Sequence, residues 1–441
     1  MKASRYNVVM DYKDKKLGFN TMSCALAEVD ETFINILTNI NDIKYEQLDD
    51  IQKEVFDNMK YGGYIIDDEV DELKLLKYRS YNSKFNSRGL GLTIAPLLAC
   101  NFACPYCYES PKPGVMGEDV ISSILKMIEK KAEKSEPISI TWYGGEPLLA
   151  KDIIFSMSEK IIDICKKNKV DYNAYMVSNG YLVTEDIAKK MKENMISGVQ
   201  ITIDGPPDIH NARRKLRNSS EPTFDKIIEN IKILIKAGVE VTIRVNIDKT
   251  NVSRLEELMD ILASKGLTDC IISLGHVSNY TDSCASIADT CLNTEEYAIE
   301  SLKNQEVLFK KGFNVSTYPN YPGVKGNYCC ADSNTSFVID FEGYMYKCWN
   351  DVGNHSRSVG NVKDIENDED VDSKQISLNA EYILWSPFDY EECVGCNLLP
   401  ICMGGCPYNG IKGGHTPKCE KWKYNLIDVL KKTYDERNIQ E

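Results

Sequence analysis

The sequence predicts an α/β protein built on a parallel sheet, with a small strand-and-helix module before it and a cysteine-rich segment after it. Three observations predict this. Between about residues 87 and 325, six strand-like runs alternate with five helix-like runs, and such alternation implies parallel strands joined by crossover helices. Before residue 87, two strand patterns, a further short strand and three helical patterns crowd into one stretch. After residue 325, periodicity fades while Cys, Gly and Pro accumulate. The 441 residues suit two to four domains at roughly 100–200 residues each. The expected division is 1–86, 87–325 and 326–441.

In the first segment, residues 6–12 and 17–20 read as strands joined by the polar turn 13–16. A helix is expected at 31–39, where Phe33, Ile34 and Ile36 are apolar. Another is expected at 45–59, where Leu48, Ile51, Val55 and Met59 recur at spacings of three or four. Gly62 and Gly63 end it. Residues 64–66 read as a short strand and 67–78 as a further helix, a winged-helix-like composition. Polar residues 81–88 mark a break. The next strands fall at 92–96, 138–143, 173–178, 199–204, 239–247 and 270–276. Helices are expected at 120–134, 151–168, 184–194, 223–237 and 252–265. The Pro/Gly/Asn-rich stretch 318–327 marks the second break. In folds of this kind, reactive groups sit at the carboxyl ends of the strands.

Composition narrows the function. Charged residues at 27% and hydrophobic residues at 43% exclude wholesale disorder. The 52 Lys+Arg against 66 Asp+Glu give a net charge of −14, which argues against a nucleic-acid partner. The helix at 45–59 carries Glu46, Asp49, Asp50, Glu54 and Asp57 against Lys53, a face that repels phosphates. No run approaches the 18 or so apolar residues of a membrane span. The N-terminus lacks the apolar core of a secretion signal. A cytoplasmic protein is expected. There, 16 Cys point to metal or redox chemistry rather than disulfides. Three lie within residues 100–107 and eight within 329–419. The four His form no metal-spaced pair, so a His-based zinc hydrolase is not expected.

Cys100, Cys104 and Cys107 follow the first strand of the α/β segment. Three thiolates on one loop suit three corners of a [4Fe–4S] cluster and leave one iron without a protein ligand. Structural zinc normally takes four closed ligands. The run Cys100-Asn101-Phe102-Ala103-Cys104-Pro105-Tyr106-Cys107 resembles the defining motif of radical S-adenosylmethionine (SAM) enzymes, including the aromatic Tyr106. The resemblance implies that SAM chelates the open iron through its amino and carboxylate groups. It also implies a 5′-deoxyadenosyl radical that abstracts hydrogen from a substrate, within a partial (β/α)6 barrel.

Further residues extend the likeness. Gly144-Gly145-Glu146-Pro147, at the end of the second strand, resembles the motif that holds the SAM amino group. The glycines would let backbone approach the ligand, and Glu146 would accept from its ammonium. Ser178 with Asn179, and Thr202 with Asp204, end the third and fourth strands and resemble stretches lining the SAM pocket. Asp204 equally suits a cap of the following turn. Arg244 suits a carboxylate partner or a buried structural ion pair. Tyr106, Tyr108 and Tyr143 are placed to pack against adenine.

Cys330, Gly343 and Cys348, followed by Cys393, Cys396, Cys402, Cys406 and Cys419, resemble the SPASM extension of this family. That implies two auxiliary clusters, three [4Fe–4S] clusters in all. By relatives' pattern, Cys393, Cys396, Cys402 and Cys419 hold one, and Cys330, Cys348 and Cys406 the other. Cys329 adjoins Cys330, and neighbouring side chains in an extended chain point opposite ways. Cys329 is therefore expected to be a bystander, leaving an iron open to a substrate thiolate. Cys24, Cys165, Cys270, Cys284 and Cys291 read as small buried residues.

The first segment resembles the precursor-peptide recognition module of peptide-modifying enzymes, which adds a leader peptide to a sheet edge. The expectation is a radical SAM/SPASM peptide maturase from an oxygen-poor setting. A ribosomal precursor would dock its leader on 1–86 and thread its core into the barrel. Cys thioethers are the first expected product and carbon–carbon links the second, with flavodoxin or ferredoxin as electron donor. Neither nucleic acid nor membrane is an expected partner. A formylglycine-forming sulfatase maturase is the rival enzyme, and a zinc-ribbon regulator the rival outside enzymes. Metal analysis after anaerobic purification separates them. Three clusters require about 12 Fe per chain, with matching sulfide, whereas stoichiometric zinc without iron points to the ribbon.

Overall fold

The computed structural model describes residues 1–86, 88–279, 281–313, 321–364 and 372–439. They gather into two compact units. One holds residues 1–86, 321–329 and the chain from 385 onward, and the other holds 88–313 with 330–384.

The first unit begins with strand β1 (Lys2–Ala3), followed by β2 (Asn7–Tyr12), β3 (Lys15–Asn20) and β4 (Leu26–Val29). β2, β3 and β4 form an antiparallel sheet in that order. Helices α1 (Glu31–Asn39) and α2 (Asp50–Tyr61) follow, then β5 (Ile65–Ile66), which pairs with β1, and α3 (Glu72–Phe85). Phe33, Ile36, Phe56, Met59 and Ile65 form the core beneath the helices. β4 was not legible in the sequence, because Leu26–Val29 has no clean alternation. The expected helix at 45–59 opens instead as a 3-10 turn, Tyr45–Gln47. α2 starts where Asp49 and Gln52 cap each other's backbone. α3 runs into the break expected at 81–88 and ends there at Phe85. Asp71 caps its start, and the buried Lys84 ammonium donates to the Trp385 carbonyl near its end.

The second unit is the parallel sheet. Strands β6 (Leu90–Ile94), β7 (Ile138–Trp142), β8 (Tyr172–Ser178), β9 (Ile196–Thr202), β10 (Glu240–Ile247) and β11 (Ile271–His276) lie side by side in chain order. Between them come α4 (Glu118–Ala132), α5 (Lys151–Asn168), α6 (Glu185–Glu193), α7 (Pro207–Arg213), α8 (Phe224–Lys236) and α9 (Leu255–Ser264). α10 (Thr294–Lys310) follows β11. Each strand is added beside the last, so right-handed crossovers place the helices on one face. That face is apolar: Ile140, Trp142, Met176, Val199, Ile201, Ile243 and Val245 are all buried in one core. On β10 the pattern alternates, with Val241, Ile243, Val245 and Ile247 buried and Arg244 and Asn246 facing a cavity. This is the parallel α/β architecture that the alternation predicts. α7 and α10 were not anticipated. α7 is short and opens on Pro206-Pro207, and a Pro pair reads as a turn.

β12 (Ser336–Ile339) then pairs parallel with β6, and β13 (Tyr344–Tyr346) and β14 (Gly360–Asn361) extend the sheet antiparallel. α11 (Ser373–Ile383) completes this unit. The expected boundary near 325 thus departs from the grouping of contacts, because residues 330–384 share the ladder and core of β6. The break at 318–327 lies partly outside the described residues.

The chain ends in the first unit with α12 (Glu391–Val394), α13 (Leu399–Cys402), α14 (Pro407–Lys412) and α15 (Trp422–Ile439). Leu399 and Met403 pack with Tyr6 and Leu76, so the cysteine-rich segment does build core. No described helix is long and apolar enough to cross a membrane. Ile140 sits fully buried at the centre of β7. Ile140→Ala should cost about 2–5 kcal/mol, read as a lower denaturation midpoint for the sheet unit.

Candidate active site

The loop between β6 and α4 carries Cys100, Cys104 and Cys107 and has almost no ladder of its own. Other segments hold it. Gly145 N and Glu146 N donate to the Leu97 and Ala99 carbonyls at 3.3 and 3.0 Å. Ala103 N donates to Lys215 O at 2.9 Å, and Phe102 bridges Leu216. The Arg217 guanidinium donates to the Cys100 and Phe102 carbonyls at 3.3 and 3.1 Å.

The two glycines are required by this stitching. Gly144 has φ +114°, and a Cβ on it would lie 2.3 Å from Leu97 O. One on Gly145 would lie 2.2 Å from Ala99 O. The close approach expected toward a ligand is therefore made toward the chain itself. Both glycines also border the cavity above the loop.

That cavity is about 430 Å³. Cys100, Cys104 and Cys107 line it together with Tyr106, Gly144, Gly145, Ser178, Asn179, Thr202 and Arg244. Seven of the nine side chains expected to contact SAM thus converge there. Glu146 and Asp204 do not line it. The Glu146 carboxylate is wholly buried. It accepts from Ser178 Oγ at 2.8 Å, Asn179 N at 2.7 Å and Leu148 N at 3.1 Å. It ties the end of β7 to the end of β8, and burial holds its carboxyl above the usual range despite those donors. Within the chain its role is to brace the strand ends that border the cavity.

Asp204 is likewise wholly buried. It accepts from the Tyr106 hydroxyl and from Asn246 N at 3.2 Å, and Arg213 Nε lies 3.6 Å away. Arg214 Nη1 donates to the Tyr106 hydroxyl at 2.6 Å. Tyr106 is therefore anchored at its hydroxyl while lining the cavity. Arg213 also reaches Asp248 at 2.8 Å. Sequence reasoning missed both arginines, since α7 itself was missed. The signal present was a pair of adjacent cations within a strand-end segment. Arg244 donates to Asn246 Oδ1 and Ser273 Oγ and has no carboxylate partner among the described residues. The ion pair considered for it is absent there.

Tyr143 completes another wall. Its hydroxyl meets that of Tyr108, and its ring centroid lies 4.4 Å from that of Trp349. Glu109 lines the same cavity, and burial alone pushes its carboxyl up to about 8.

The donor set suits an iron–sulfur cluster. Burial pushes the Cys100 thiol up to about 11, with the charges of Glu146 and Cys104 adding to the rise. Burial also pushes the Cys107 thiol up, with the charges of Cys104 and Cys100 adding to the rise, and all three cysteines line the one cavity. Among the described residues, only Asp340, Glu342 and His355 bring ligand atoms within 4.8 Å of one another.

In the other unit, the Cys393 thiol is pushed up to about 11 by burial and by the charges of Cys402, Cys396 and Cys419. Those three cysteines lie near enough to Cys393 for their charges to act on it. Gly404 and Gly405, both at φ +77°, turn the chain after α13, and a Cβ on Gly405 would lie 1.9 Å from Lys418 O. Cys330 and Cys348 belong to the sheet unit, and Cys406 to the unit of α14. Cys329 is half-buried and Cys330 exposed.

Known proteins agree with this geometry. Residues 94–262 match the Radical SAM superfamily. A cysteine-type anaerobic sulfatase-maturating enzyme of Clostridium perfringens is 25% identical over 344 residues, covering 72% of this chain and 88% of that one. The structure of native anSMEcpe with bound AdoMet and Cp18Cys peptide superposes with a TM-score of 0.61 at 22% identity, covering 80% of this chain and 99% of that one. Streptococcus suis SuiB bound to precursor peptide SuiA covers 95% of this chain and 98% of that one, with a TM-score of 0.52 at 16% identity.

The bracing role of Glu146 has a measurable consequence. Glu146→Ala leaves three buried donors without an acceptor, so stability should fall by on the order of 3 kcal/mol or more, read by thermal unfolding. An unchanged melting temperature with weakened SAM binding would return the side chain to ligand contact. With the cysteine triplet lining the strand-end cavity and the sequence match spanning it, the chain is an enzyme that carries a Radical SAM domain over residues 94–262 and has maturases among its relatives.

Proposed function

We propose that the chain is a maturase of a ribosomally made precursor peptide, and that it installs intramolecular Cys thioethers. The observation that carries this is the small antiparallel sheet of the first unit. Among the described residues, β4 pairs only with β3, so its outer edge offers unpaired backbone groups. An extended leader peptide can add there as a further strand. The coverage of SuiB, a protein solved with its precursor peptide, extends over 95% of this chain. That breadth supports giving residues 1–86 the same office.

The core of the peptide would then enter the sheet unit. When bound, SAM on a [4Fe–4S] cluster supplies a 5′-deoxyadenosyl radical for hydrogen abstraction. Cys100, Cys104 and Cys107 would hold that cluster, and Gly144, Gly145, Ser178, Asn179, Thr202 and Arg244 would border the cofactor. Tyr143, Tyr108 and Trp349 keep one wall of the cavity apolar and exclude water from the reacting carbon. Cys393, Cys396, Cys402 and Cys419 would hold an auxiliary cluster, within a SPASM-type segment. Cys330 and Cys348, within the sheet unit, remain candidate ligands of a further one. A cytoplasmic, oxygen-poor setting and a donor such as flavodoxin or ferredoxin belong to this reading, without nucleic acid or membrane.

Formylglycine formation is the second reading, favoured by the Clostridium relative. The test incubates the reconstituted enzyme and SAM with the small peptide encoded beside the gene. Thioether formation should lower the peptide mass by two hydrogens per link and remove an alkylatable thiol with each. Carbon–carbon links would lower the mass and leave every thiol alkylatable. A product that reacts with hydrazide would instead indicate formylglycine.

A further inference from the structure

Helix α3 is apolar on more than its packed side. Leu76 and Ser80 are buried on the inner face, yet Leu75, Tyr78, Tyr81 and Phe85 are 45%, 68%, 44% and 42% exposed. Lys74, Tyr78, Tyr81 and Phe85 recur at spacings of four, three and four, so they share one stripe of the helix. Its remaining charges, Lys74, Lys77 and Arg79, are all basic, because Glu72 and Lys84 are buried. The chain as a whole carries a net charge of −14, so this face is locally of the opposite sign. Contiguous exposed apolar surface marks an interaction site.

Helix α2 carries the counterpart. Asp50, Glu54, Asp57 and Tyr61 are exposed and repeat the same spacing of four, three and four. Each stripe is about 17 Å long. With the two helices laid parallel, Lys74 meets Asp50, the phenols of Tyr78 and Tyr81 meet the carboxylates of Glu54 and Asp57, and Phe85 meets Tyr61. All four pairs are complementary. The antiparallel alignment sets Phe85 on Asp50 and loses that match. Within one chain both stripes stay exposed, Tyr61 at 95%.

We propose that the α2 and α3 stripes bind each other between two copies of this chain. A twofold arrangement makes the contact twice, α3 on α2 of the second copy and α2 on its α3. Aromatic side chains contribute most to such contacts, and the opposite charges set the register. The contact uses helix faces rather than the outer edge of β4, so it does not rest on the peptide reading.

The experiment is sedimentation velocity on the reconstituted full-length chain without oxygen. The wild type should be a dimer at about 50 μM that dissociates on dilution. An α3 variant, Tyr78→Ser with Tyr81→Ser, should weaken the dimer about tenfold or more. An α2 variant, Glu54→Lys with Tyr61→Ser, should do the same. Melting temperatures should be unchanged, since all four side chains are exposed. Mixing the two variants should give tighter association than either shows alone, because an intact α3 stripe then meets an intact α2 stripe. A wild type that stays monomeric at that concentration overturns the proposal. So does an α2 variant that remains a dimer, which would show α3 pairing with itself. A mixture no tighter than its parts overturns it as well. If either double variant melts early, the single changes Tyr78→Ser and Glu54→Lys decide by the same comparisons.

Discussion

The loop of Cys100, Cys104 and Cys107 must be rigid without a ladder of its own, and the rest of the site is arranged around that need. Three thiols can hold a cluster only if their backbone does not move with the ligand. The restraint comes from two strand ends. The turn after β7 enters with glycines, because any side chain there would collide with the carbonyls of Leu97 and Ala99. The segment after β9 supplies Arg217 to two further carbonyls. The loop is thus held from both sides by hydrogen bonds, accepted at Leu97, Ala99, Cys100 and Phe102 and donated at Ala103.

Charge balance behind the cavity follows the same logic. Arg213 and Arg214 are buried, a costly position for cations unless they are paired and hydrogen-bonded. Asp204, Asp248 and the Tyr106 hydroxyl meet that condition. His210, packed beside them, is driven well below its ordinary value by burial and by the two arginines, so it stays neutral. One network therefore fixes the aromatic residue of the cysteine motif and the end of β9 together.

Much of this was legible in the sequence. The alternation of strand-like and helix-like runs placed β6 to β11. The cysteine spacing located the site. What escaped was whatever depends on tertiary partners. α7 begins at a proline pair, and β12 to β14 are too short to show a period, existing only because β6 offers an edge. Glu146 was singled out for its position, but its bracing bonds were not legible. A sequence shows that a carboxylate follows two glycines, not that Ser178 and Asn179 will turn toward it. Glu109 gave no signal, because burial without a partner is invisible until the fold is known.

The discontinuity of both units bears on how the protein is born. β6 emerges early, yet its neighbour β12 is synthesised only after five further strands and their helices. The N-terminal sheet and helices must likewise await the segment beginning near Trp385, whose Leu399 and Met403 cover Tyr6 and Leu76. At ordinary elongation rates, the delay in each case is on the order of tens of seconds. During that time the outer edge of β6 and the apolar face around Tyr6 are uncovered on the ribosome. A chain of this topology depends on chaperones or slow, late docking to avoid edge-to-edge aggregation.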